Sequence, residues 1–543
     1  MNFNPILLLT LLILFLLSCE KPIPIPVIRI IPQPARVLTQ DGVFRITPTT
    51  KIIVDNYDQQ LSEIARFLTA HVEKYFGITT MVISEKKAPN SIILKINESL
   101  KIGKEDYKLT VLPSGIILEA TAPNGLFYGI QTLIQLMPYS PQLLNEIIVP
   151  GVEINDGPQF AWRGLQLDVS RHFMPKTFIF KYLDDMAMHK LNTFQWHLSD
   201  DQGWRIEIKK YPRLTEIGSV RKQTIIGHLN NSVGMDTLKT DGYYTQDDIR
   251  EIVSYASKRF ITVVPAIEMP GHALAALAAY PELGCTSIPY EVAGRWGSFS
   301  DTFCPGKEGT YTFIKDVITE ISEIFPGKYI HIGGAETSQV RWDKCPDCQS
   351  IIREDSLDST IELHNYFTRR VKNIIYSFGK IPVGWDDILR DTTTTTSGVV
   401  ISWHDEEKAI TGTRKKINTI HSPAKFCNFD QYQSNPANEP LAVGGLLTLE
   451  QVYNFDPIPK NLSVQDAKYI IGAQANIWTA YMKTPVFVEY MTFPRAAALA
   501  EIVWTPKKEQ NYRSFKKRMS FQIKRYDAEG ITYCKTEFKS TIY

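Results

Sequence analysis

Several things are scarce in this 543-residue chain, and each scarcity removes a class of function. Net charge is almost absent: 59 Lys and Arg stand against 58 Asp and Glu, a formal +1. A chain so balanced carries no excess of positive charge that would argue for nucleic acid or an anionic membrane surface. Cysteine is sparse, at seven residues. The one Cys-x-x-Cys, Cys345-Pro-Asp-Cys348, has no second such pair or matching His pair near it, so a zinc-binding or thioredoxin-type reading has little support there. A local disulfide or two free thiols is the expectation. His197, His272 and His331 lack a metal-ligand spacing, and no internal repeat points to a solenoid. What is plentiful is core material: 44% hydrophobic and 11% aromatic residues, with nine Trp. That many aromatics suits sugar stacking and a large core equally well.

The apolar run Ile6–Leu17, broken only by Thr10, is too short to span a bilayer comfortably but fits the core of a signal peptide. It ends in Leu16-Leu17-Ser18-Cys19, which has the form of a bacterial lipoprotein cleavage box, although the leading Met1-Asn2-Phe3-Asn4 carries no Lys or Arg. The expectation is removal of residues 1–18, lipid on Cys19, and a place at the outer membrane, on the cell surface or in the periplasm, with membrane contact only through the lipid. In an exported protein disulfides persist. Cys285 and Cys304 flank a variable loop and are the expected bridge.

After a proline-studded tether (19–36), short β-type runs such as Lys51–Asp55 and Ser91–Lys95 alternate with helical stretches to about residue 155. That reads as a small α+β domain without a catalytic pattern. From there to residue 543 the pattern becomes strand, loop, helix, repeated, with a closing helical segment. Eight strand candidates begin near Gly164, Thr193, Thr262, Tyr329, Ile381, Val399, Ile417 and Ile470. Strong helix patterns cover Lys176–Lys190, Gln246–Arg259, Tyr311–Phe325 and Ile361–Phe378, and Thr245 with Asp248 forms a helix-start signal. The fold class predicted is α/β: a (β/α)8 TIM barrel preceded by a small α+β domain.

Polar and aromatic residues cluster at the strand ends, where barrel enzymes keep their chemistry. Asp168 and Arg171 follow the first strand, with Arg163 at its start. The second ends in Trp196-His-Leu-Ser-Asp200-Asp-Gln-Gly-Trp204, and the third in Glu268-Met-Pro-Gly-His272. The fourth, Tyr329-Ile-His-Ile, turns at Gly333-Gly334 and delivers Glu336. Later strands offer Trp385, Trp403, Asp430 and Trp478. Glycoside hydrolysis needs a proton donor for the leaving oxygen, and Glu336 in an aromatic pocket is expected to have its pKa raised by desolvation. His272 and Asp200 are placed to relay that proton.

These segments resemble the family-20 glycoside hydrolases, the β-N-acetylhexosaminidases. The resemblance runs from Trp162-Arg-Gly-Leu-Gln-Leu-Asp-Val-Ser-Arg-His172 through Trp196–Gly203, Pro270-Gly-His272, His331–Glu336 and Gly472–Trp478 to Phe493–Glu501. It implies Glu336 as acid/base, Asp200 and His272 as its support, Arg163 on the terminal sugar's hydroxyls, and Trp385, Trp403 and Trp478 around the pocket. It implies no metal and no cofactor, and an oligosaccharide or glycoconjugate as partner; it leaves oligomeric state open. In that family the substrate's acetamide attacks the anomeric carbon, oriented by an Asp and a Tyr. This chain has Ala335 and Asn428 at those positions, Ala480 where a Glu contacts outer hydroxyls, and Pro265-Ala-Ile267 where Pro-Glu-Ile is usual. Three readings follow: a β-N-acetylhexosaminidase, a glycosidase for an anionic (sulfated or uronic) sugar, or a non-catalytic carbohydrate-binding lipoprotein. With no carboxylate at Ala335, the acidic limb of Glu336 is expected to lie lower than where the pair is complete.

Overall fold

The computed structural model describes residues 28–54, 58–85, 88–138, 143–286, 288–390 and 398–538. The lipobox and Cys19 lie outside them. In the N-terminal domain the strands are β1 (Arg36–Ile46), β2 (Lys51–Val54), β3 (Met81–Ile83), β4 (Ser91–Ile96), β5 (Tyr107–Leu112), β6 (Gly115–Ala120) and β7 (Ile147–Asp156). They form one mixed sheet in the order β1-β7-β5-β6-β4-β2-β3. β5 alternates buried Tyr107, Leu109 and Val111 with more exposed neighbours, the period-2 pattern of a strand with one covered face.

Two helices supply the cover. α1 (Gln59–Phe76) starts where the Asp58 side chain accepts from the Gln60 amide, and stops at Gly77 in the left-handed region. α2 (Pro123–Leu136) opens with proline in its first turn, where a missing N–H costs nothing, and is buried from Gly125 to Leu136. A helix apolar or small on nearly every side must be enclosed.

The second sheet closes on itself. Among the described residues its barrel strands are β8 (Trp162–Asp168), β9 (Thr193–Asp200), β10 (Thr262–Met269), β11 (Tyr329–Gly333), β12 (Ile381–Trp385), β13 (Val399–Ser402), β14 (Asn418–His421) and β15 (Ile470–Ile477). Each pairs in parallel with the next, and β15 returns to β8. The eight expected strands are all present. Helices α3 (Lys176–Met188), α4 (Gln246–Ser257), α5 (Glu308–Ile324) and α6 (Thr360–Ser377) occupy the predicted stretches. Thr245 and Asp248 make a reciprocal capping box at the start of α4. This is the (β/α)8 barrel with an α+β domain before it.

The domains meet through buried charge at the strands' starting end. Lys190, just ahead of β9, donates to Asp156 at 2.9 Å, and both side chains are wholly enclosed. Tyr107 and the Trp504 indole also donate to Asp156. The expected tether is partly corrected. Ile30 and Ile31 are buried, and Arg518 and Gln135 hydrogen-bond to that segment's backbone, because its apolar residues fill a seam between the domains. Among the described residues no helix is long and apolar enough to cross a membrane.

Candidate active site

Eight parallel strands put all their C-terminal ends on one face, so residues far apart in sequence converge there. Asp200 ends β9, Glu268 lies one residue before the end of β10, and Trp385 ends β12. Trp403 follows β13 directly and Trp478 follows β15. Glu336 arrives after Gly333 and Gly334, whose φ angles of 69° and 95° suit glycine. Glu336 itself holds φ at 49° and His272 at 51°. Two non-glycine residues in the left-handed region, facing each other in one cavity, mark backbone that has been bent to aim side chains.

The cavity they line is about 410 Å³. At its centre His272 Nε2 donates to Glu336 Oε2 at 3.2 Å. Its Nδ1 donates at 3.1 Å to Asp200 and at 3.0 Å to Asp201. Burial alone would lower the His272 pKa. The charge of Asp200 and the hydrogen bonds to Asp200, Asp201 and Glu336 overcome it and hold the imidazole well above its usual value. Asp200 is buried, which favours the neutral form, yet Arg171, His272 and His197 hold it well below the carboxylate range. Arg171 pairs with Asp200 at 2.8 Å, and His197 Nε2 donates to the same carboxylate at 2.8 Å.

Glu336 is the exposed end of this chain, its side chain 46% accessible. The His272 hydrogen bond lowers its pKa despite partial desolvation, and Ser298 Oγ adds a second donor at 3.1 Å. The expectation of a raised pKa is therefore corrected for the free protein. An imidazolium at hydrogen-bond distance outweighs the aromatic walls, so the shared proton rests on His272.

Four indoles line the cavity: the expected Trp385, Trp403 and Trp478, and Trp296 from the loop after β10, which sequence reasoning missed. Trp385 lies 6.4 Å from Trp403 and 5.8 Å from Trp478, ring centre to ring centre. Asp430 is buried in the lining, which pushes its pKa up to about 7, and its Oδ1 has no partner; the Trp403 Nε1 likewise has none. Unpartnered polar atoms in a pocket are what a hydroxylated ligand satisfies. Asn428 lines the cavity with its Oδ1 held by Asn476 Nδ2 at 3.2 Å, which fixes its amide nitrogen as the remaining donor. Ala335 and Ala480 also line it and bring no polar side chain.

Two expected roles are corrected. Arg163 is not in the pocket. It is the second residue of β8, at the opposite end of the barrel, fully buried and bonded to Glu105, Tyr128 and the carbonyls of Phe160 and Lys190. The arginine in the lining is Arg171, beyond the end of the same strand. Cys285 and Cys304 are not bridged to each other. Both are free thiols, gathered with Cys345 and Cys348 in one cluster away from the pocket, because the loops after β10 and β11 fold together. The reading of Cys345 and Cys348 as lacking further ligands nearby is corrected with it.

Sequence reasoning also passed over Asp201, Glu268 and Ser298. Glu268 was visible as a strand-end acid. Burial raises its pKa, and it accepts from the Trp385 indole at 3.1 Å. Ser298 comes from a long loop whose path no local pattern reveals.

A parallel barrel with a carboxylate, a protonated imidazole behind it and a Trp-walled cavity at the C-terminal face has the parts that glycoside hydrolysis needs. Comparison with known proteins places it more closely. The profile for glycosyl hydrolase family 20, catalytic domain, matches residues 160–507, and that for domain 2 of the same family matches 27–157. The chain is 40% identical to a beta-hexosaminidase of Porphyromonas gingivalis over 96% of its own length and 67% of that protein's. It is 32% identical to a chitobiase of Flavobacterium johnsoniae, with a TM-score of 0.78 over 94% of this chain and 74% of the other. It is 28% identical to a Vibrio harveyi exo β-N-acetylglucosaminidase solved with N-acetylglucosamine, with a TM-score of 0.83 over 96% and 80%. The chain belongs to glycosyl hydrolase family 20.

Proposed function

We propose that this chain is an exo-acting β-N-acetylhexosaminidase, removing non-reducing terminal β-linked N-acetylhexosamine from oligosaccharides or glycoconjugates. The observation that carries the reading is the unbroken chain from Asp200 and Asp201 through His272 to Glu336, opening into the Trp-walled cavity. The relatives' names agree with it: P. gingivalis has a beta-hexosaminidase, and the V. harveyi enzyme holds N-acetylglucosamine.

Glu336 gives its proton to the leaving oxygen as the bond from the anomeric carbon breaks, and it draws that proton through the hydrogen bond from His272. The acetamide oxygen bonds to the same carbon. Water then attacks with Glu336 as base, and the sugar leaves with the acetamide restored. Trp385, Trp403 and Trp478 stack on the sugar and exclude water, while Arg171 and Asp430 take its hydroxyls. Asn428 donates to the acetamide carbonyl.

The charge missing at Ala335 comes from Glu268. Its carboxylate lies against Gly333, where a Cβ would collide with it, only two residues ahead of Ala335. The lining also weighs against an anionic sugar, since Asp200 and Glu336 are held ionised and the two cations, Arg171 and His272, are already committed to them. A pure binding protein would need the indoles but not the relay. Export and attachment through lipid on Cys19 complete the reading, placing the enzyme at an outer membrane or cell surface, or in the periplasm. Labelled palmitate that stays on a Cys19→Ala variant would overturn attachment at Cys19, and a wild-type chain that takes up no label would remove the lipid anchor.

The deciding experiment measures turnover of an aryl β-N-acetylglucosaminide and its 6-sulfated analogue by the mature chain. Turnover of the unsulfated sugar, lost on the order of 10²–10⁴-fold in Glu336→Gln, is the expected result. Binding without turnover would overturn it in favour of the lectin-like reading. Preference for the sulfated sugar would move it to an anionic substrate. Glu268→Gln should lower kcat on the order of 10²-fold with little change in KM. An unchanged kcat would remove Glu268 from the mechanism.

A further inference from the structure

Two loops build one side of the pocket. The loop after β10 runs from Pro270 to Lys307 and carries Trp296, Gly297 and Ser298; the loop after β11 carries Glu336. Cys285 and Cys304 bracket the first loop's pocket-facing stretch, and Cys345 and Cys348 follow the second. All four sulfurs lie within 4.8 Å of one another.

The spacing of these sulfurs is informative. Cys285 to Cys348 is 3.7 Å, Cys304 to Cys345 is 3.7 Å, and Cys304 to Cys348 is 3.5 Å. Sulfurs about 2.3 Å from a tetrahedral zinc ion are about 3.8 Å apart, whereas a disulfide brings two of them to about 2.05 Å. The near-equal edges also single out no pair: Cys304 is as close to Cys345 as Cys285 is to Cys348, and closer still to Cys348. One ion among the four sulfurs accounts for Cys304 and Cys348 each having two close neighbours at once, and two separate disulfides do not.

The backbone is built to hold the arrangement. Pro346 opens the helix Pro346–Glu354, so Cys345 and Cys348 present their sulfurs from one helical turn. The other half of the set comes from a β-bridge between Gly284 and Phe303, with the Cys304 amide donating to the Leu283 carbonyl at 2.9 Å. That bridge does the work of the second Cys-x-x-Cys that the sequence lacks. Gly306 packs directly on the peptide between Asp347 and Cys348, where any Cβ would collide, so the two halves meet backbone to backbone. Cys304, Cys345 and Cys348 are buried beside Trp342 and Leu363, a dry shell that favours retained metal.

We propose that Cys285, Cys304, Cys345 and Cys348 bind one zinc ion as four thiolates, a structural clasp that holds Ser298 and Trp296 against Glu336. Four soft thiolates in a closed tetrahedron leave no position for water, so the ion is structural and not catalytic. Zn²⁺ enters as four thiol protons leave, taking the site from neutral to a net charge of −2. The clasp also keeps these cysteines from pairing as disulfides.

The test is the metal content of the full chain, purified without chelator or polyhistidine tag, with thiol counting and disulfide mapping on the same sample. One equivalent of zinc per chain, released by a mercurial that blocks thiols, is the expected result. Two disulfides among these cysteines, or four free thiols that take up no added zinc, would overturn the proposal. One equivalent of iron or copper would overturn the zinc assignment. Cys348→Ser should lose the ion; should that variant not fold, the wild-type measurement decides alone. Removing the metal should also speed proteolysis between residues 285 and 304, and lower kcat/KM about 10- to 100-fold as Ser298 and Glu336 lose register. Metal content and proteolysis do not depend on the substrate, so their outcome stands apart from the hexosaminidase reading.

Discussion

Arg163 and Arg171 belong to the same stretch of chain, eight residues apart, and do opposite things. Arg163 enters β8 at the barrel's closed end. There Glu105, Tyr128 and two backbone carbonyls surround it, and it cements the N-terminal domain to the barrel. Arg171 leaves β8 at the open end. It pairs with Asp200, donates to Gln202 and lies over Trp478 while still touching the cavity. Residue type and neighbourhood in sequence are similar; direction along a parallel strand separates structure from function. The same division runs through the molecule. Lys190, Asp156 and Trp504 saturate one another at the closed end, whereas Asp430 and Trp403 keep unpartnered atoms at the open one.

The sharpest test of that division is His272→Gln. In the wild type one proton is shared by His272 and Glu336, so the basic limb of kcat/KM reports its loss at the raised value of His272. Without the imidazole, Glu336 must keep its own proton. The basic limb should then fall to the carboxylate range, with activity at pH 7 reduced on the order of 10²-fold or more. A limb that stays in place would mean that the two groups do not share a proton.

Next comes the arginine pair itself. Arg163→Met strands Glu105 and should cost about 3 kcal/mol of stability, read as a lower denaturant midpoint, with kcat/KM nearly unchanged well below the transition. Arg171→Met should instead lower kcat/KM about 10- to 100-fold, the loss of a charged hydrogen bond, and shift the midpoint less. Equal effects of the two variants on stability and activity would erase the distinction between the barrel ends.

The smallest effect belongs to Thr245→Ala. It removes one half of the capping box on α4, far from the chemistry, and should cost about 1 kcal/mol without any change in kcat. A change in kcat would show that the outer helices are coupled to the pocket.

Much of this was legible beforehand, for identifiable reasons. The barrel strands are short apolar runs separated by helices of strong 3.6-residue period, and both signals are local. Glu336, His272 and Asp200 could be named because each closes a strand or the turn after it. Arg163 was misassigned although the strand-end rule pointed to Arg171: the resemblance was carried onto the arginine at the start of β8 and not onto the one past its end. The fate of the cysteines depended on two loops meeting, and the direction of the Glu336 pKa on an imidazolium brought from β10. Neither leaves a trace in spacing.

The amino-acid order by itself determined the elements: eight apolar strands, their helices, the glycine turn before Glu336 and the acids at the strand ends. Those follow from backbone sterics and from the period of hydrophobic burial, which act over a few residues. Only the closed barrel decided which arginine meets the pocket, which carboxylate lies against the Gly333 turn, and which four sulfurs come together. Those are distances between residues tens to hundreds of positions apart, set when β15 pairs with β8 and the loops above them pack.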